Sequence, residues 1–305
     1  GETFNRSGVT GVYEEIRSDV IEIKDNPKVI ATIDVLKQEI QLLYDKLTEN
    51  EPNEEQPKVE KPDLDAPSTQ SFSIHNIELG DSRAEVEQQS GKPQRSSLNE
   101  YGVDWVTYHE HYQNFFMVAY DEEDTVVGLY TNQDLLSSTK GIGFDSSRDA
   151  VLQALNEPIK NIRKGLVIYQ LQTEQANDTF LIDNNYVTIF YDEHENNTVT
   201  AIQIISGDLE KQKKEYFADA SDQLREGFEY QLFDLTNAAR VNHGLPILTW
   251  DEDVRQTAQD HSMDMAVNNY FGHTNLEGKS PFDRMSEDGI SYRMAAENLA
   301  AGQPS

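Results

Sequence analysis

The chain has 305 residues, no cysteine, and 55 acidic against 25 basic residues, which gives a formal charge of −30. This length allows two ordinary domains with real cores, whereas the charge opposes binding to nucleic acid or anionic lipid headgroups. The absence of cysteine excludes disulfides, thiolate metal sites and a cysteine nucleophile. No run approaches the roughly 18 apolar residues that a membrane span requires, so we expect no membrane-spanning segment.

The first predicted element is an amphipathic helix, which we place in an N-terminal helical segment, residues 1–48. Within residues 18–48, apolar side chains recur at helical spacing from Ile30 to Leu47. The pattern favours a helix that packs on its own protein, and the alternative is a helix for self-association or for a partner. The opening GETFN is not a signal peptide, and we expect that an export signal has been removed. The extracellular or cell-surface location that we expect rests on the resemblance to secreted proteins described below.

A proline-rich and acidic linker is predicted at residues 49–70. This stretch is nearly free of large apolar residues. It therefore buries too little surface to offset its ordering entropy. We expect a stiff, extended and solvated connection.

The middle of the chain, residues 71–212, repeats itself. The segment at 77–93 aligns with the segment at 142–158, with Arg83 opposite Arg148 and identical prolines at the end of each. Each copy (about 71–135 and 136–208) reads as a short capped helix followed by alternating strands, with hairpin turns at DEED and DEHENN. A paired α+β module with antiparallel sheets is the simplest architecture.

The repeat contains no catalytic constellation. His109 and His111 alternate at strand spacing, which predicts that they share one face. We interpret them as two exposed histidines, and the alternative is a metal-binding pair. The strands could also recruit an extended peptide at an open edge.

The pattern becomes helical after about residue 213. One predicted helix places Leu224, Phe228, Leu232 and Leu235 on one face and ends before Gly244. A second helix begins at its cap Asp251 and turns Val254, Ala258, Met265 and Ala266 inward. A third, short helix is capped by Ser280, with Pro281 in its first turn and Gly289 at its end.

Four ordered blocks in this region resemble the CAP domain family, which includes cysteine-rich secretory, antigen 5 and pathogenesis-related 1 proteins. The blocks are LTNAARVNHGLPILTWDEDVRQTAQDHSMDM, YFGHTN, GKSPFDRM and AENLAAG, and they cover roughly residues 222–305. The preceding repeat is similar to the CAP-associated N-terminal region of Gram-positive exported proteins. The resemblance implies an α+β protein in which residues 213–305 are the helical front part of an α/β/α sandwich, truncated before its second half.

The resemblance also implies a cleft with two histidines and two acidic residues. By position, His273 corresponds to the first histidine and Glu297 to the first glutamate, so they form half of a four-residue site. In this interpretation both are candidate catalytic residues, and His273 is a candidate ligand for zinc or another divalent cation. We expect glycines 272, 278 and 302 to permit the turns that bring the two side chains together.

Three functions stay open. The first is a secreted or cell-surface protein that binds a ligand, a divalent metal, or a peptide, protein or cell-wall partner. The second is a metal-assisted, peptidase-like hydrolase that uses His273 and Glu297 with residues beyond the chain end. The third is an interaction protein that self-associates through residues 18–48 or through the incomplete CAP domain. An incomplete domain should expose helix faces that include Phe228, Leu232 and Trp250. It should then be unstable, associate with another copy, or pack on the repeat.

Overall fold

The computed structural model of the protein describes residues 57–171 and 176–301. The helix predicted within residues 18–48 lies outside these described residues. In chain order the elements are β1 (Phe72–Ile74), α1 (Arg83–Ser90), β2 (Arg95–Leu98), β3 (Asp104–Glu110), β4 (Gln113–Tyr120), β5 (Val126–Thr131), β6 (Leu136–Ser138), α2 (Arg148–Leu155), β7 (Asn161–Lys164), β8 (Val167–Gln170), β9 (Asn177–Ile182), β10 (Asn185–Asp192), β11 (Thr198–Ser206), α3 (Gly207–Gln212), α4 (Asp222–Asn242), α5 (Glu252–Asn268) and α6 (Pro281–Glu287).

Seven antiparallel strands form the central sheet in the order β2-β3-β4-β5-β11-β10-β9. The meander β3-β4-β5 comes from the first predicted copy and β9-β10-β11 from the second. The two meanders meet where β5 pairs with β11. The predicted turns at 121–124 and 192–197 connect β4 to β5 and β10 to β11, so the α+β class with antiparallel sheets is confirmed.

The two halves of the sheet contain equivalent local contacts. Ser82 caps α1 and Ser147 caps α2, each accepting a hydrogen bond from the backbone N–H three residues later. The guanidinium that opens α1 lies 5.0 Å from the ring centre of Tyr120 at the end of β4. Its counterpart in α2 lies 5.5 Å from the ring centre of Tyr191 at the end of β10. These matched cation–π contacts relate one half of the module to the other.

Both faces of the sheet are covered, and the alternation along β4 separates them. Phe116 and Val118 face a core that includes residues of α1 and α2. Phe115 and Met117 face a second cluster that includes residues of α3 and α4. Because successive side chains of a strand point to opposite faces, one buried strand supplies both cores.

The described part of the predicted linker contains neither helix nor strand, and its end is bound to the repeat module. The carboxylate of Glu78, which is 7% exposed, accepts backbone hydrogen bonds from Ser68, Thr69 and Gln70 at 2.7, 2.8 and 2.6 Å. The hydroxyls of Ser68 and Thr69 donate two more at 2.8 and 2.7 Å. These residues are therefore fixed on the surface of the module, which the composition of the linker did not predict.

Helix α4 packs on the edge strand β2 through polar contacts. Asp234 is 1% exposed and accepts hydrogen bonds from the hydroxyl of Tyr112 at 2.8 Å and from Nε of Arg95 at 3.0 Å. The amide of Gln231 donates to the carbonyl of Leu98 at 2.9 Å. A buried carboxylate needs such partners, so this face of α4 is specific to the sheet that it contacts.

The predicted apolar face of α4 is wrong in part. Leu224 is buried, but Leu232 is 68% exposed. The side that packs against the sheet instead carries Gly227, whose backbone approaches the carbonyl of Leu98 closely. A pattern of apolar spacing does not identify a face that is built from a glycine and a buried acid.

The close approach of α4 to β2 leads to a prediction for Gly227→Ala. A Cβ at this position would lie 2.1 Å from the carbonyl oxygen of Leu98, so the helix would have to move away. Overpacking of this kind costs roughly 1–3 kcal/mol. We expect the variant to lower the free energy of unfolding by about that amount in urea unfolding. Glu226→Ala, at the exposed neighbouring position, is the control, and equal stability of the two variants would contradict this packing.

The Glu78 cluster leads to a prediction about pH. Burial favours the protonated carboxyl, but the hydrogen bonds from the linker outweigh it and lower the pKa of Glu78 from 4.5 to about 2. The carboxylate therefore stabilises the fold above pH 4.5, and this contribution is lost as the pH falls through 2. We expect Glu78→Gln to be less stable than the native protein at pH 7, with a difference that shrinks in urea unfolding below pH 4.5. Glu122→Gln, at an exposed position, is the control; a difference for Glu78→Gln that is independent of pH would contradict the assignment.

Candidate functional site

Helices α5 and α6 hold the loop that carries the candidate site. The hydroxyl of Thr257 in α5 donates to the carboxylate of Asp288, which follows α6, at 2.5 Å. His261, also in α5, is 3% exposed, and its Nε2 lies 3.0 Å from the carbonyl of Gly272. His261 therefore anchors the start of the loop.

The predicted inward face of α5 is wrong. Val254, Ala258 and Ala266 are exposed, whereas Thr257 and His261 are buried. The reason is that the neighbouring loop and α6 present polar groups, with which these two side chains form hydrogen bonds. The packing partner, rather than the apolar spacing, decides which side of the helix is buried.

A tight turn at residues 275–279 shapes the loop. Asn275 accepts hydrogen bonds through its side-chain oxygen from the backbone N–H groups two and four positions later, at 3.1 and 2.8 Å. Gly278 has a φ of +82°, a conformation that favours glycine. The predicted turn role of Gly278 is thus confirmed. Gly272 lies in a bend without a positive φ, and Gly302 lies outside the described residues.

His273 and Glu297 lie next to each other. Nδ1 of His273 is 2.9 Å from Oε1 of Glu297, although 24 residues separate them in the chain. The histidine side chain is 58% exposed and the glutamate side chain 17% exposed. Because an ionised carboxylate only accepts hydrogen bonds, Nδ1 carries the proton. In the neutral ring the lone pair is then on Nε2.

Arg284 of α6 completes this cluster. Its Nη2 lies 2.5 Å from Oε2 of Glu297, and its Nη1 donates to the carbonyls of His273 at 2.9 Å and of Lys279 at 3.2 Å. The residue is only 9% exposed. Arginine is seldom buried to this extent unless it is paired, and here Glu297 is the charged partner. Sequence reasoning missed Arg284, although the GKSPFDRM block contains it between the two predicted site residues.

A hydrogen bond between a tyrosine and an aspartate lies close to the site. The hydroxyl of Tyr270 donates to the carboxylate of Asp264. Burial and this bond raise the pKa of Tyr270 to about 12, with a further increase from Glu297 and an opposing effect of Arg284. Tyr270 is therefore a neutral hydrogen-bond donor at physiological pH.

The described residues do not fit the divalent cation that the family resemblance implies. No group of three or more histidine, cysteine, aspartate or glutamate side chains in the described ranges could hold a metal ion. Glu297 uses one oxygen on Arg284 and the other on His273. Nε2 of His273 is then the one nitrogen that this cluster offers, whereas a zinc site takes at least three protein ligands.

The histidines of the β3-β4 hairpin do not form a metal-binding pair either. His111 and Tyr112 both have a positive φ, +50° and +60°, so the chain reverses there and the two histidines do not share a strand face. The ring of His109 stacks on Tyr112 with centroids 4.0 Å apart. Burial, with the charges of Arg95 and His111, lowers the pKa of His109 to about 4. The prediction of two exposed strand histidines is thus wrong in part: His111 is exposed but lies in the turn, whereas His109 lies in β3 and is half-buried.

Two family models match the chain. Residues 79–216 match the CAP-associated N-terminal family, and residues 233–303 match the cysteine-rich secretory protein family. The first range contains the seven-stranded sheet, and the second contains His273, Arg284 and Glu297. Both matches fall in the regions for which the sequence resemblance indicated a CAP-associated N-terminal part and a CAP domain.

Two proteins of Bacillus subtilis (strain 168) are similar in sequence. The uncharacterised membrane protein YlbC is 27% identical over 244 residues, which are 73% of this chain and 69% of YlbC. The uncharacterised protein YkwD is 45% identical over 76 residues, which are 25% of this chain and 30% of YkwD. Within the described residues of the present chain, no helix has the length and apolar character to cross a membrane.

Two crystal structures share the fold. An extracellular SCP-domain protein from Bacillus anthracis superimposes with a TM-score of 0.63 at 22% identity, covering 80% of this chain and 85% of that one. A cysteine-rich secretory protein from Staphylococcus aureus superimposes with a TM-score of 0.56 at 11% identity, covering 75% and 78%. At these identities the likeness concerns the fold alone.

Proposed function

We propose that this protein is a non-catalytic binding module that acts outside the cell or at the cell surface, and that His273 contacts its ligand through Nε2. The observation that carries the proposal is the bond from Nδ1 of His273 to Glu297, because it leaves an exposed nitrogen with a lone pair. The location is supported by the relatives, since one structural neighbour is described as extracellular and YlbC is named a membrane protein.

The pairing of Glu297 favours binding over catalysis. A histidine acts well as a general base when a carboxylate stabilises the imidazolium that forms. Here Glu297 is already paired with the guanidinium of Arg284. It therefore offers less stabilisation to a second positive charge, and the neutral imidazole is better suited to accept a hydrogen bond.

The surroundings of His273 indicate the class of ligand. A neutral Nε2 accepts from O–H and N–H groups of sugars and peptides. The side chains of Phe271 and Leu276, in the same loop, are 59% and 68% exposed. A cell-wall glycopeptide, which combines hydroxyl and amide donors with methyl groups, matches both features.

A hydrolase is the alternative, and one observation favours it. The histidine–carboxylate pair has the arrangement of a general base with its orienting group. In that case His273 would activate water, and Glu297 would hold the ring. A hydrolase would release products from its substrate, whereas a binding module would leave its ligand unchanged.

The test is binding of the 305-residue protein to purified peptidoglycan of Bacillus subtilis in a sedimentation assay. Loss of one hydrogen bond costs about 1 kcal/mol, so we expect His273→Ala to weaken binding roughly fivefold. The matched control is His194→Ala, because His194 is exposed in the β10-β11 turn and far from α6 in sequence. It should bind like the native protein.

Two results would contradict the proposal. Equal binding by His273→Ala and His194→Ala would remove His273 from the contact surface. Release of soluble fragments from peptidoglycan, abolished by both His273→Ala and Glu297→Gln, would replace the binding module with the hydrolase.

A further inference from the structure

We infer that Arg284 is a positioning residue: acting through Glu297, it holds the His273 ring in the form with the proton on Nδ1 and the lone pair on the exposed Nε2. The inference deepens the proposed function, on which it rests for the identity of the binding atom. The contacts that support it are all within this chain.

Arg284 connects the segments that carry the two site residues. One nitrogen of its fork, Nη1, donates to the backbone carbonyl of His273 at 2.9 Å, and the other, Nη2, lies 2.5 Å from Oε2 of Glu297. Arginine differs from lysine here, because a planar fork can direct two donors to two acceptors at once. A single buried side chain therefore sets the distance between the loop and the carboxylate.

The two oxygens of Glu297 have different partners. Oε2 receives Arg284, whereas Oε1 lies 2.9 Å from Nδ1 of His273. Contact at Oε2 restricts the rotation of the carboxylate, and in this orientation Oε1 is directed at the ring. Since Glu297 is 17% exposed, water competes weakly for either oxygen.

The neighbouring lysine does not take the place of Arg284 beside Glu297. Lys279 places its ammonium 2.9 Å from Glu277 and 2.8 Å from Glu287. Its charge is thus matched by its own partners and does not replace that of Arg284.

The chain offers a matched arginine for comparison. Arg255 in α5 is 16% exposed and pairs with Glu229 at 2.7 Å and Glu252 at 2.8 Å. Like Arg284 it is largely shielded from solvent and ion-paired, but none of these contacts involves the site. Arg255→Met therefore reports what the loss of such an ion pair does to the fold alone.

The experiment is ¹⁵N NMR of the histidine rings in the whole protein at a slightly alkaline pH, where two-bond couplings show which ring nitrogen carries the proton. We expect the native His273 to have its proton on Nδ1. In Arg284→Met the signal should change to a mixture of both tautomers, as in Glu297→Ala, and the double variant should show no further change. Arg255→Met should retain the native pattern.

Arg284→Lys provides the graded case. The lysine ammonium lacks the planar fork of arginine, so it can contact Glu297 or a carbonyl but does not hold both in a fixed geometry. We therefore expect a tautomer population between those of the native protein and of Arg284→Met. The ring signal of His261 monitors the fold of the loop. If Arg284→Met does not fold, Arg284→Lys decides: an intermediate population supports the inference, and a native one overturns it.

The outcomes separate this inference from the proposed function. A native tautomer in both Arg284 variants overturns the role of Arg284, whatever peptidoglycan binding shows. A tautomer that responds to Arg284, in a protein whose peptidoglycan binding is independent of His273, supports the positioning role and removes the binding function.

Discussion

The ion pair between Arg284 and Glu297 is the interaction on which the site depends. It joins α6 to the segment that follows it, and the same guanidinium holds the backbone of His273. Buried ion pairs add little stability on balance, because desolvation offsets much of the attraction. The pair is better understood as a source of geometry: it fixes one carboxylate oxygen and thereby determines how the histidine ring is presented.

A second constraint connects the CAP-family helices to the repeat. Helix α4 contacts β2 through the buried Asp234 and through a glycine that admits the backbone of Leu98. Helix α4 thus packs on the repeat, which is one of the three expected outcomes, but the predicted face is not the one that packs, since Leu232 stays exposed. The seven-stranded sheet thereby supports the first helix of the region that carries the site.

Local signals predicted local structure well. The serines that cap α1 and α2, and the acidic turns of the two hairpins, fall where the sequence placed them. Their effect depends on residues within a few positions, so the sequence contains the whole cause. The proximity of His273 and Glu297 was predicted only through family resemblance, because nothing in their spacing requires it.

The features that the sequence did not predict depend on residues that are distant from one another in the chain. Arg284 acquires its role only when α6 and the loop are placed together, and an isolated arginine in a short helix is ordinarily solvated. The buried sides of α4 and α5 are polar because their neighbours offer hydrogen bonds, as with Thr257 and Asp288. Apolar periodicity therefore identified these helices but not the way they face.

Neutron diffraction from crystals of the deuterium-exchanged protein, grown at slightly alkaline pH, tests the central claim most directly, because it locates the ring protons. The account predicts nuclear density for deuterium on Nδ1 of the site imidazole, directed at the arginine-bound carboxylate, and none on Nε2. Deuterium on Nε2, or a guanidinium turned away from that carboxylate, would contradict it.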